Sequence, residues 1–503
     1  MREQINKTIK YKEQYKKNEL FWGLGIENEL YLEFVNKIVI NKNKLLNNHQ
    51  RERYSINYYG NYKSEFLDNA LKSFVKGINN TIYIPLLINS HSFTKTDKNN
   101  NSQNLYSKDT TINPDFNGKT LIEELQESNE YFKKANNNKW LFDGDTIEFI
   151  TNNFYKTTLI DILNELHENK VEFINHLNNS FKEQNIFVNY GKVQFMSSNY
   201  HHATYLTNLN NIGMFNNGTL HYNLTLPTML DSNGLIDDVS KFIKDHSRAI
   251  KIIQWMEPFI ISVYGSADPF SSDEKNEDNN KFSYSSQRCA ISRYISIGTY
   301  NSNLMPLGKI LTTEINKLDL NKLDYWWFNR FYENNAYTKL KSIGMDINFN
   351  KHYNHGIEIR FLEHICDEKN INESFEFIIY LMDYILESDY INSFENPIFN
   401  KIWNNVTLQC IIHGNKYNLT NEEKELYENI FKIKFKKSNV LEVYYELYCN
   451  LKIRYNKIYK DENDLYTIIP RGKFSIYALS KLENKKTEIN NEIENFNNCC
   501  NIL

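Results

Sequence analysis

Gly25-Ile26-Glu27-Asn28-Glu29-Leu30-Tyr31-Leu32-Glu33-Phe34 alternates with a period of two. That period belongs to a β-strand, and it puts Glu27, Glu29, Tyr31 and Glu33 on one face with Ile26, Leu30, Leu32 and Phe34 on the other. The apolar face predicts a core contact. The other face carries carboxylates about 7 Å apart along one side of the strand, a repulsive arrangement unless water or a divalent cation lies between them. Oxygen ligands held on a rigid strand suit Mg²⁺. Taken alone, the same pattern also describes an ordinary amphipathic strand with a solvated acidic face.

Three more segments have polar residues in register. Gly218-Thr219-Leu220-His221-Tyr222-Asn223-Leu224-Thr225-Leu226-Pro227 places His221, Asn223 and Thr225 together, opposite Tyr222, Leu224 and Leu226. An imidazole, an amide and a hydroxyl in line can coordinate a metal or grip a carboxylate or phosphate, although a single histidine near a strand is often only a structural residue. Gly356-Ile357-Glu358-Ile359-Arg360-Phe361-Leu362 sends Glu358 and Arg360 to one side. This sets a cation binder beside a phosphate binder, or else forms a cross-strand ion pair. Leu141 to Thr151 would supply another inward carboxylate, Glu148, with Asp143 and Asp145 in the turn that starts the strand, and a helical pattern follows from Leu159.

The rest of the chain bounds these readings. Length and a hydrophobic content of 41% are ample for a folded core. A net charge of −4 provides no global field for nucleic acid or an anionic membrane, so small-molecule partners are expected. Asparagine makes up about 15% of the residues, a compositional bias that deprives lone asparagines of meaning. The 6 cysteines form neither a disulfide framework nor a zinc spacing, which suits a reducing, cytoplasmic setting, and no segment has the length and apolarity of a membrane span.

Strand-like runs are Leu24 to Phe34, Thr81 to Ile88, Leu141 to Ile150, Lys192 to Met196, Leu220 to Leu226 and Gly356 to Leu362. Helical spacing marks Thr158 to Glu168, Leu235 to Tyr264, Ser374 to Glu387, Asn421 to Lys432 and Asn439 to Ile453. Irregular alternation of the two predicts an α+β fold. The expected organisation is a charged extension over 1–18, one domain over 19–475 with Asn-rich surface insertions at 97–118, 134–139 and 270–281, and a polar tail over 476–503.

The order of these motifs resembles that of the carboxylate-amine ligase superfamily, which contains glutamine synthetase, the glutamate-cysteine ligases and the putative amidoligases. Gly25 to Glu29 matches its Gly-x-Glu-x-Glu strand, and Glu148-Phe149-Ile150-Thr151 matches a strand running into a helix. Gly218 to Leu226 is similar to its histidine strand, with Asn223 in place of the commoner second histidine. The long helix ending at Tyr264, the segment bearing Arg288 and Arg293, and Glu358-Ile359-Arg360 complete the series. The likeness spans residues 20 to about 365, is closer to the amidoligases and glutamate-cysteine ligases than to glutamine synthetase, and leaves 366–475 as a helical part without a matching motif.

The resemblance implies a glutamine synthetase-like domain built on a curved, largely antiparallel sheet that binds ATP and Mg²⁺ or Mn²⁺. Its reaction would join an amino-acid-like carboxylate to an amine through an acyl phosphate. It implies Glu27, Glu29, Glu148, His221 and Glu358 as metal ligands, and Arg360 as the residue that steadies the transferred phosphate. Asn223, Thr225 and Arg288 or Arg293 would contact nucleotide or substrate, and Glu33 is the candidate base for the amine. A non-catalytic scaffold on the same fold is the competing expectation, and a metal-dependent hydrolase a third. The C-terminal Cys500-Asn501-Ile502-Leu503 has the form of a prenylation motif, with Cys499 available for a second lipid, so attachment to the cytosolic face of a membrane is an expectation as well.

Overall fold

The alternation from Leu24 to Phe34 becomes two strands, β1 (Leu20–Leu30) and β2 (Leu32–Phe34), which join different sheets on either side of Tyr31. The computed structural model describes residues 20–41, 43, 49–50, 81–95, 119–134, 139–143, 146–151, 159–196, 203–206, 208–213, 218–229, 237–265, 347–349, 356–395, 397 and 400–459. After β2 come β3 (Ile38–Asn41), β4 (His49–Gln50), β5 (Thr81–Ile84), β6 (Leu86–Ile88), α1 (Ser90–Lys95), α2 (Leu121–Ser128) and α3 (Glu130–Lys133). The middle of the chain forms β7 (Trp140–Asp143), β8 (Thr146–Ile150), α4 (Leu159–Glu183), β9 (Val193–Phe195), β10 (Ala203–Tyr205), β11 (Asn208–Gly213), β12 (Thr219–Met229) and α5 (Val239–Tyr264). It ends with β13 (Ile347–Phe349), β14 (Ile357–Glu363), α6 (Glu368–Glu387), α7 (Lys401–His413), α8 (Asn421–Phe431) and α9 (Val440–Tyr459).

The fold is α+β. Its larger feature is an open sheet in the order β13-β14-β12-β1-β8-β7 in which every neighbouring pair is antiparallel. A second sheet, β4-β11-β10-β6-β2-β9, mixes parallel and antiparallel pairs, and β3 and β5 form a separate ribbon. The run expected as one strand from Leu141 is a hairpin, in which Asp143 ends the first strand opposite Thr146. The helix expected to stop near Glu168 continues to Glu183, because Phe173, Leu177 and Phe181 extend its buried stripe.

One face of the antiparallel sheet is apolar and covered by helices. Ile26, Leu30, Ile147, Phe149, Tyr222, Ile357 and Ile359 are buried, with α4 against β1 and β8 and α5 against β12 and β14. Tyr222 stacks on Phe375 of α6 at 4.2 Å between ring centres, and its hydroxyl reaches Ser374 at 2.6 Å. Gly356 leaves room for His246 of α5: a Cβ there would come within 2.2 Å of the ring. The His246 Nε2 accepts from Leu226 N at 2.9 Å while Nδ1 donates to Phe242 O at 2.7 Å, and burial lowers its pKa to about 4, so the ring is neutral at pH 7.

Pro258 lies inside α5 and explains how the C-terminal helices attach. Lacking an N–H, it cannot bond the carbonyl of Gln254 four residues earlier. The indole Nε1 of Trp403, on α7, donates to that carbonyl at 2.9 Å, and the Tyr427 hydroxyl of α8 donates to the next one, Trp255 O, at 3.2 Å. Trp403→Phe keeps an aromatic ring, smaller than the buried indole, and leaves the buried carbonyl without its N–H partner. Chemical denaturation should show a loss of about 1–3 kcal/mol with little change in m-value. An unchanged midpoint would refute a contribution of this hydrogen bond to the attachment of α7.

Candidate metal centre on the acidic face of the sheet

The opposite face of the same sheet is polar and buried. Glu27 and Glu29 of β1, Glu148 of β8, His221 and Asn223 of β12, and Glu358, Arg360 and Glu363 of β14 are each exposed by no more than 9%. Cross-strand register brings them together: Glu27 pairs with His221, Glu29 with Thr219 on one side and Glu148 on the other, and Asn223 with Glu358. Thr151 helps to hold that register, because its hydroxyl accepts from Ile26 N at 3.0 Å beyond the last paired residue of β8.

His221 is the centre of the group. Its Nδ1 lies 3.1 Å from Glu27 Oε2, 3.6 Å from Glu358 Oε1 and 3.7 Å from Glu29 Oε1. One ligand atom from each of Glu27, His221 and Glu358 falls within 4.8 Å of the other two. Asn223 Nδ2 donates to Glu27 Oε1 at 3.2 Å, and Arg360 Nη1 donates to Glu358 Oε1 at 2.6 Å. The donor set is a fit for a divalent cation: two carboxylate oxygens and one imidazole nitrogen, drawn from three adjacent strands and withdrawn from water, with a Glu29 oxygen 3.7 Å from the same nitrogen. Asn223 Oδ1, buried without a hydrogen-bond partner among the described residues, adds an acceptor of the kind a cation or its bound water would meet.

Glu363 and Thr219 are members of this face that the sequence reading missed. Leu220 pairs with Leu362 and Tyr222 with Ile359, so β14 contributes two residues, Arg360 and Phe361, where β12 contributes His221 alone. That bulge reverses the alternation and brings Glu363 opposite Thr219, onto the acidic face. Strict counting from Glu358 assigns Glu363 to the core. Among the described residues of this face, five buried carboxylates face one guanidinium, a formal charge of −4 with the histidine neutral.

The remaining predicted residues are placed differently. Thr225 Oγ1 accepts from Gly356 N at 3.1 Å, where it ties the start of β14 to β12. Glu33 sits in β2 of the second sheet and accepts from Gln194 Nε2 at 2.7 Å. Arg288, Arg293, the turn after Gly265 and the cysteines at 499 and 500 lie outside the described residues. No helix among the described residues is long and apolar enough to cross a membrane.

Behind the acidic face, Asn28 locks the two central strands. Its Nδ2 donates to Thr219 O at 3.2 Å and to His364 Nδ1 at 3.1 Å, while Oδ1 accepts from Lys170 Nζ of α4 at 3.2 Å. Desolvation lowers the Lys170 pKa to about 8 and that of His364 to about 3. Asn28 was silent in the sequence, one asparagine among many in an alternation read for its carboxylates.

Fold and site together define an α+β protein whose open antiparallel sheet carries a buried acidic face centred on a histidine. Uncharacterized protein R704 of Acanthamoeba polyphaga mimivirus is 41% identical over 407 residues, which cover 81% of this chain and 70% of the mimivirus protein. The chain belongs to the same family as that viral protein. No family model and no solved structure matches it.

Proposed function

We propose that this protein is an ATP-dependent carboxylate-amine ligase of glutamine synthetase-like fold that works with Mg²⁺ or Mn²⁺. The observation that carries the reading is the convergence of Glu27, His221 and Glu358 within 4.8 Å, with Arg360 held against Glu358. In phosphoryl transfer the barrier is lowered mainly by positioning and by neutralising oxygen charge, and this face offers the means for both. A divalent cation bound there would supply positive charge to phosphate oxygens.

In the reaction a substrate carboxylate oxygen attacks the γ-phosphorus of ATP and the bond to the β-phosphate oxygen breaks, giving ADP and an acyl phosphate. The amine then attacks the acyl carbon, loses a proton to a base, and expels inorganic phosphate. Arg360 presents a planar guanidinium that can bridge two phosphate oxygens, and Glu358 holds its orientation. Asn223 orients Glu27. Glu29 and Glu148, paired across β1 and β8, form a second carboxylate pair for a cation.

The test is ADP release with Mg²⁺ across a panel of amino acids, other carboxylates and amines. ADP formation that needs both an acid and an amine, with hydroxylamine trapping the acyl phosphate as a hydroxamate, is the expected result. Absence of ATP binding, or ADP release indifferent to every acid, would overturn the reading.

A further inference from the structure

The contacts of the Thr219 hydroxyl and the His221 ring decide where the ring proton sits. Thr219 Oγ1 lies 2.8 Å from Glu29 Oε2 and 3.0 Å from His221 Nε2. A hydroxyl has one proton to give, and the Glu29 carboxylate can only accept. The Thr219 proton therefore goes to Glu29, and its oxygen accepts from His221 Nε2–H. In the neutral ring Nδ1 is then a lone pair, and it points at carboxylate oxygens of Glu27, Glu358 and Glu29 at 3.1, 3.6 and 3.7 Å. Lone pairs facing one another at such distances repel unless a proton, shared as in the 3.1 Å His221–Glu27 hydrogen bond, or a cation that replaces it lies between them.

We infer that Thr219 is a positioning residue: it holds His221 as the Nε2–H tautomer and so leaves Nδ1 as the atom that ligates a divalent cation. The inference rests on the cation reading of this face and says which nitrogen binds and what enforces it. Histidine ligands depend on the hydrogen bond made by their other nitrogen, which fixes both tautomer and ring orientation. Here a threonine hydroxyl takes that part, and it is itself oriented by Glu29, a second member of the site. The backbone of Thr219 is pinned as well, since its carbonyl accepts from Asn28 at 3.2 Å. Spacing produces the contact, because Thr219 and His221 are two apart on one strand and share a face.

The experiment uses the full chain. Mn²⁺ affinity is read from the free-ion EPR signal in wild type, Thr219→Val and Thr219→Ser. The ligating nitrogen is read from ¹⁵N-imidazole spectra of the Zn²⁺-loaded, histidine-labelled protein, with His221→Gln assigning the resonance. Thr219→Val, similar in shape but without the hydroxyl, should weaken Mn²⁺ about 10–100-fold with no matching loss of melting temperature, while Thr219→Ser stays within a few-fold of wild type. The wild-type spectrum should show zinc on Nδ1 and a proton on Nε2. A wild type that binds no Mn²⁺ overturns the cation reading itself. A wild type that binds Mn²⁺ as tightly as Thr219→Val, or that ligates zinc through Nε2, overturns the role of Thr219 alone.

Discussion

Gly218→Ala is expected to destabilise the protein by on the order of 4 kcal/mol or more and to remove cation binding with it. Gly218 precedes β12 with φ +76°, in the left-handed region, and a Cβ there would lie 1.9 Å from Glu29 O and 2.8 Å from Leu30 Cα. Those are backbone atoms of β1. They can yield only if β1 moves away from β12, the strand that carries His221. The Gly218 carbonyl also accepts from His364 N at 3.2 Å, so the loop is held from both sides. Gly191→Ala is the natural control, since its φ of +78° is similar but its nearest neighbours are Asn36 side-chain atoms at 3.2–3.3 Å. It should cost about 1–2 kcal/mol, the conformational part alone. Urea unfolding of both variants separates backbone strain from strand contact, and equal losses would refute the close approach.

Much of the acidic face was legible because period-two alternation is a property of single strands. Glu27, Glu29, His221, Asn223 and Glu358 could be assigned to faces one strand at a time, and cross-strand register then placed those faces on one side of one sheet. What could not be read depends on neighbours. The bulge opposite His221 has no signature in Ile359-Arg360-Phe361-Leu362, so counting along the strand does not bring Glu363 to this face. Glu33 continues the alternation of β1 perfectly, yet Tyr31 breaks the ladder and β2 enters another sheet. Thr225 shares a face with His221 by counting, but its hydroxyl is taken by the backbone of Gly356. The helix from Lys401 to His413 escaped because apolar residues and asparagines do not sort to faces in its sequence; its attachment is written in Pro258, more than a hundred residues earlier. Local pattern gives faces, and tertiary pairing decides which faces meet.

Glu148→Gln should change stability in opposite directions with and without a divalent cation. Glu29 and Glu148 are directly opposite each other in the β1–β8 ladder, and both are at least nine-tenths buried. Like charges at such a pair of positions are destabilising, and three further carboxylates of the same face add to the repulsion while Arg360 offsets one of them. Removing one charge without changing the side-chain shape should raise the stability of the cation-free protein, by about 1 kcal/mol from the pair. The same change removes a hard oxygen donor, so the stabilisation gained on adding Mg²⁺ or Mn²⁺ should shrink. In wild type, a cation at a hundredfold its Kd stabilises by about 2.7 kcal/mol, and this linkage depends only on binding to the folded chain. Thermal unfolding in EDTA and then across a cation titration measures both effects in one pair of proteins. Glu148→Gln should melt higher than wild type in EDTA and lower than wild type at saturating cation, so the two titration curves cross. A variant that melts lower in EDTA and follows the wild-type cation response would show that Glu148 serves the sheet through its hydrogen bonds rather than through its charge.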